Sequence, residues 1–267
     1  MPRCHVDLHP HLIRHPLRHP GTTPPLYPCD IQLRHRHADS LRTSRCDVHW
    51  NPPFGIGIGG EFPPEFTAAG VDVGDRGKRA DEALELMVAL WSGGSVDHKG
   101  TFAQVPGLEL QPGPIQAGGP PRWLGGRSAA AMRRAGRFAD VWMPYMYTPE
   151  QLAASLTEVR EAASAEGRDP QSVRGAVFVW GAVDEDGNQS RAWAVDGVST
   201  VYQQDFERLA DRYLLYGSPA RVATRIQEYC DAGAETLVFS PVGDGAHRQQ
   251  MVDLFAREVL PQVRGTS

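Results

Sequence analysis

Three groups of residues in this 267-residue chain have types and spacing that could do chemistry. The first is Phe54-Gly-Ile-Gly-Ile-Gly-Gly-Glu61, an apolar run that breaks into small residues. A strand ending this way brings bare backbone up to something bulky. The second is Trp123-Leu-Gly-Gly-Arg-Ser-Ala-Ala-Ala-Met132, a strand end that opens directly into a helix. There Gly125 and Gly126 expose backbone N–H groups, Ser128 offers a hydroxyl, Arg127 a cation, and the helix its positive dipole end. These are the parts of an anion site. An ordinary glycine turn with a serine N-cap uses the same residues and stays open as the plain alternative. The third is Arg79, near the start of a helix, a candidate second phosphate ligand that on spacing alone reads as a solvated surface residue.

Gly55-x-Gly57-x-x-Gly60 also matches the dinucleotide-binding fingerprint. Its context argues against that reading, because Pro63-Pro64 holds the chain extended where a helix would have to open. Nucleophilic catalysis has little to draw on. There is no G-x-S-x-G elbow, and beyond residue 50 the histidines are His98 and His247, both expected in loops. Cys230 reads as a structural thiol on a helix face, and Asp184-Glu185-Asp186 as a solvated turn rather than a metal cluster. No catalytic side chain and no metal site are identified. A cofactor is therefore expected to supply the reactive group.

The elements that must position these groups alternate. Residues 54–59 read as a strand, and Asp75 as the cap of a helix with Ala80, Ala83, Leu84, Met87, Val88 and Trp91 on one face. Extended pieces near 95–98, 101–104 and 108–110 look like an insertion crossing a barrel mouth. Strand 122–124, helix 128–136 and strand 139–143 follow. Thr148-Pro-Glu-Gln151 is a capping box opening a helix lined by Leu152, Leu156, Val159 and Ala163. Strand 173–183, a less regular helical stretch over 189–215, a helix capped by Ser218-Pro219, strand 236–240 and a final helix complete the pattern. Five strand–helix units in series predict an α/β protein with a parallel sheet, an incomplete (β/α)8-type barrel of five units, which the resemblance given below numbers as strands 4 to 8.

Residues 1–50 break from this. They hold eight of the ten histidines and three of the four cysteines, with neither lysine nor glutamate. Seven arginines against four aspartates give them +3, leaving −8 for the remainder, where 20 basic residues face 28 acidic ones. No apolar period runs through them. Zinc binding through His35, His37, Cys46 or His49 lacks paired CxxC spacing, and a basic arm for nucleic acid lacks charge. The favoured reading is an irregular segment, 1–53, of GC-rich sequence read out of frame, preceding a barrel portion over 54–267. The net charge of −5 argues against nucleic acid as a partner, and no apolar run reaches membrane-spanning length. A cytoplasmic location is the default. Open sheet edges predict association of copies into a homo-oligomer.

From Phe54 onward the chain resembles the bacterial luciferase-like flavin-dependent oxidoreductases, which include monooxygenases and deazaflavin-dependent dehydrogenases. The resemblance rests on Phe54–Glu61, the helix Arg79–Trp91, Pro121-Arg-Trp-Leu-Gly-Gly-Arg-Ser128 with Ala139-Asp-Val-Trp142, and Tyr216-Gly-Ser-Pro219 leading to the strand at 236–240. It implies a barrel whose C-terminal mouth holds FMN or a deazaflavin (coenzyme F420), with Gly57 and Gly59 beside the ring system. Arg79, Gly125, Gly126 and Ser128, with Arg127 between them, would surround the phosphate. It further implies oxygenation of, or hydride exchange with, a small organic substrate. The alternative is a catalytically inactive flavin- or phosphate-binding remnant, since Phe54 matches the start of the family's fourth strand.

Overall fold

The computed structural model describes residues 5–8, 53–59, 62–243 and 245–264. Strand β1 is His5–Leu8 and β2 is Phe54–Ile56. The short helix α1, Pro63–Ala68, starts on the two prolines that were expected to hold the chain extended. Proline is tolerated at the first helical positions, where its missing N–H would have no partner anyway. Gly60 and Glu61 lie outside the described residues, as do His35, His37, Cys46 and His49. A 3-10 turn, Val73–Asp75, leads into α2, Arg76–Trp91. The capping side chain is Asp72, whose carboxylate accepts from Gly74 N at 2.7 Å; Asp75 makes no capping bond.

Strands β3 (Ser95–Lys99) and β4 (Gln104–Glu109) pair as an antiparallel hairpin in a sheet of their own. The hairpin lies on α2 rather than across the strand ends, because Glu82 holds its turn. The N–H groups of Thr101, Phe102 and Ala103 all donate to the Glu82 carboxylate at 2.7–3.1 Å, and His98 Nε2 lies 3.3 Å from it. Burial alone pushes the Glu82 carboxyl up, but these donors outweigh it and hold the group below the usual glutamate value.

The main sheet then continues with β5 (Arg122–Leu124), β6 (Val141–Trp142) and β7 (Arg174–Val183). Helix α3, Ala129–Phe138, joins the first two and α4, Pro149–Ala165, the next pair. The capping box at Thr148 forms in full, with Thr148 Oγ1 accepting from Gln151 N and Gln151 Oε1 from Thr148 N. After β7 come α5 (Gly187–Tyr202), α6 (Ala210–Tyr213), the short strand β8 (Leu215–Gly217) and α7 (Pro219–Asp231). Ser218 stands at the N-cap of α7 without a side-chain capping bond. Strand β9, Ala234–Pro241, precedes α8 (Gly245–Leu254), which passes through a π turn into α9 (Leu260–Arg264).

All pairings in the main sheet are parallel, in the order β1-β9-β7-β6-β5-β2, with β8 beside the end of β7. The five strands read from the sequence thus stand side by side in chain order. The expectation of irregular chain before residue 54 does not hold for His5–Leu8, whose backbone pairs with 236–239 of β9. Valines of β7 and β9's Phe239 pack outward against Leu152, Leu156, Ile226 and Phe255 of the helical layer. Tyr229 of α7 buries its hydroxyl against the carbonyl of Tyr147 at 2.6 Å, and this burial pushes its pKa up to about 12. Among the described residues no helix is long and apolar enough to cross a membrane.

Candidate functional site

In a parallel sheet every C-terminal strand end lies on one side, which is where the two glycine segments meet. Register pairs Ile56 with Leu124, so the chain beyond each strand leaves from adjacent positions. Along β2 the faces alternate. Phe54 meets Trp91 of α2 edge-to-face at 5.6 Å, and Ile56 packs against the main core. A Cβ at Gly55 or Gly57 would meet nothing within 4 Å among the described residues. Beside them lies an open cleft of ≈ 980 Å³. Gly57, Gly59, Gly125, Gly126, Arg127 and Ser128 all line it, together with Trp123 and Tyr145.

The turn after β5 is set by the fold itself. Gly126 has φ +106° and a Cβ there would lie 2.6 Å from that of Ala131, so only glycine fits. Its carbonyl accepts from Trp142 Nε1 at 3.1 Å, which fastens the turn to β6. Ser128 caps α3 by accepting from Ala131 N at 3.2 Å. The glycine turn with a serine cap is thus formed. The capping hydroxyl can still donate its proton, and the first helical N–H groups, of Ala129 and Ala130, have no acceptor within the helix.

Arg127 turns along the wall, with its guanidinium 5.0 Å from the centre of the Tyr145 ring and Nη1 donating to Met146 O at 3.4 Å. Arg79 is not brought to the cleft. It stacks over Phe102 of the hairpin at 4.5 Å and lines a separate space between β2 and α2. Sequence reasoning missed Arg76, the first residue of α2, which does line the cleft. Its Nη1 donates to Val73 O at 2.7 Å, while its Nε is buried with no partner. Arg76 sits a helical turn nearer the strand ends than Arg79, and only the extra turn at Val73–Asp75 reveals that.

The remaining chemistry-bearing groups are spent elsewhere. His98 belongs to the Glu82 latch, the His247 ring lies against Trp193 at 4.7 Å, and Cys230 packs against the core. Asp184 and Asp186 accept local backbone bonds at the start of α5. Among the described residues no group of three or more His, Cys, Asp or Glu could hold a metal.

A parallel sheet with helical crossovers and an open cleft at its C-terminal strand ends is the pattern of the α/β barrel class, whose ligand sites lie at that end. The profile of the family described as Luciferase-like monooxygenase matches residues 53–236, and the chain belongs to this family of oxidoreductases. An F420-dependent glucose-6-phosphate dehydrogenase of Nocardia farcinica is 26% identical over 85% of this chain and 74% of its own length. A sulfoquinovose monooxygenase of Agrobacterium fabrum is 25% identical over 79% of this chain, which spans 63% of that protein. Among solved structures, an F420-dependent secondary alcohol dehydrogenase in complex with an F420-acetone adduct superposes with a TM-score of 0.66 at 20% identity. That match covers 79% of this chain and 69% of the other.

Proposed function

We propose that this chain is an oxidoreductase that holds FMN or coenzyme F420 in the ≈ 980 Å³ cleft and acts on a small organic substrate. The observation that carries this reading is that Arg76 and the N-terminal end of α3, from Ser128 to Ala131, line one and the same cleft. A guanidinium together with first-turn N–H groups that have no acceptor in the helix favours an anion between them. Bare backbone at Gly55 and Gly57 leaves room for a flat ring system, so the residues present fit such a cofactor. Ser128, the N–H groups of Ala129 and Ala130, and Arg76 would hold the phosphate, with Gly57, Gly59, Gly125 and Gly126 forming the bare wall and Arg127 steadying the Tyr145 side. When bound, the cofactor would supply reducing equivalents, either as hydride or toward O₂. Relatives of both kinds, an F420-dependent dehydrogenase and a monooxygenase, support this class.

The protein's own part is to bind, orient and shield. Trp123 and Tyr145 give the cleft aromatic walls, and Trp142 keeps the glycine turn fixed through the Gly126 carbonyl. We further place the protein in the cytoplasm, as an assembly of copies joined at the open sheet edges. The test of the site is a pair of variants titrated with FMN and F420. Arg76→Ala is expected to weaken binding by roughly 1–3 kcal/mol, the scale of a hydrogen bond to a charged group, and Arg79→Ala by far less. The reverse order would move the phosphate site to the hairpin side of β2. Failure of the parent chain to bind either cofactor would favour the inactive remnant.

A further inference from the structure

A second cavity, ≈ 690 Å³, adjoins the cleft and shares Phe62, Arg127 and Tyr145 with it. Its far side is built by the C-terminal end of α5 and by α6, the segment inserted between β7 and β8. The lining chemistry is one-sided. Tyr202, Phe206 and Tyr213 add three more rings, Met146, Val201 and Leu209 supply aliphatic surface, and Gln203 and Gln204 supply neutral amides. Among the described residues no carboxylate lines it and Arg127 is the one charged lining residue, already engaged with the Tyr145 ring and the Met146 carbonyl. Trp180 Nε1 donates to Tyr202 Oη at 3.2 Å and Gln203 Nε2 to Thr200 O at 2.7 Å, which fixes the wall from behind.

Two further observations point to this cavity. Among the described residues the two non-glycine residues with left-handed backbones are Met146 and Gln203, both at φ 52°, and both line it. Such conformations persist where surrounding structure enforces them, and they gather at binding sites. The exposed large apolar side chains include Phe62, 65% exposed, and Val201, 40% exposed, both on its rim. A sugar phosphate or sulfonate would have to leave water for a place with one committed cation, which is unfavourable without more donors. An uncharged aromatic molecule finds rings to stack on and amides to bond a single polar group.

We propose that this cavity is the substrate subsite and that it selects uncharged, aromatic or largely apolar small molecules over phosphorylated or sulfonated ones. The inference rests on the oxidoreductase reading for what happens to the occupant, because Arg127 and Tyr145 put that occupant next to the cofactor cleft. The full chain is titrated by calorimetry with acetophenone and, separately, with glucose 6-phosphate, and cofactor binding is measured independently with FMN and F420. Acetophenone is expected to bind at least about tenfold more tightly than glucose 6-phosphate, a difference near 1.4 kcal/mol. Val201→Glu places a carboxylate on the exposed rim, where it does not disturb packing. It is expected to weaken acetophenone about tenfold while leaving cofactor affinity unchanged. Tighter binding of glucose 6-phosphate, or acetophenone affinity indifferent to Val201→Glu, overturns the proposal. Should acetophenone bind as expected while neither cofactor does, the subsite stands and the oxidoreductase reading fails.

Discussion

Gly57 and Gly126 both border the cleft, yet the structure makes them respond to substitution in opposite ways. At Gly57 the backbone is not left-handed and a Cβ meets nothing within 4 Å among the described residues. Gly57→Val therefore adds a side chain of good strand propensity to open space, and its effect on folding should stay within about 0.5 kcal/mol. For a chain of this size that is a shift in Tm of less than about 2 °C. The same side chain stands where a flat ligand must pass. Forcing two or three methyl groups into an occupied contact costs roughly 1–3 kcal/mol, a loss of about 5- to 150-fold in affinity. Gly126→Ala is the counterpart. At φ +106° with Ala131 Cβ 2.6 Å away, it should cost about 1–3 kcal/mol of stability with or without ligand. Thermal melts without cofactor and fluorescence titrations with FMN and F420 separate the two variants. A Gly57→Val protein that binds like the parent, or that melts as early as Gly126→Ala, would refute the placement of the cleft.

Tyr229→Phe removes the buried bond to Tyr147 O and should cost about 1–3 kcal/mol in urea unfolding, since the carbonyl is left without a donor. Because burial raises the Tyr229 pKa from its unfolded value near 10 to about 12, its contribution is full below pH ~10 and declines as pH rises toward 12. The parent should therefore lose stability across that alkaline range more steeply than Tyr229→Phe. For Glu82 the sign is opposite. Its folded pKa lies below the unfolded value, so its hold on the hairpin is complete above about pH 4.5 and is lost as pH falls through the folded value. Limited proteolysis should cut residues 99–104 faster in acid and in Glu82→Gln at neutral pH, and equal cutting in parent and variant would contradict the latch.

What the sequence made legible was whatever repeats or caps locally. Alternation of apolar runs with 3.6-residue stripes located the five parallel strands, and Thr148 with Gln151 located a helix start to the residue. Glycines at strand ends were visible because their types are unusual there. Less legible were features set by distant partners. The Glu82 latch joins residues about twenty positions apart, and it moves the hairpin from the expected mouth to the α2 surface. Arg79 is a candidate second phosphate ligand by resemblance and a solvated surface residue on spacing alone, and the arginine of α2 that lines the cleft is Arg76. Arg76 comes first in α2, and Phe102 takes the Arg79 side chain. The strand His5–Leu8 is too short for its polar–apolar alternation to stand out from the irregular sequence around it, and its pairing with β9 reveals it. The second cavity draws on α5 and α6, an irregular stretch whose residues carry no motif.

The account stands most directly on the position of the cofactor phosphate. Backbone amide NMR of the full chain, titrated with FMN and with F420, reads that position without relying on turnover. One of the two is expected to bind saturably and to shift the amides of Ser128, Ala129 and Ala130 most strongly, with Gly57 moving alongside them. Saturable binding that leaves those amides unmoved, or no binding of either cofactor, would contradict it.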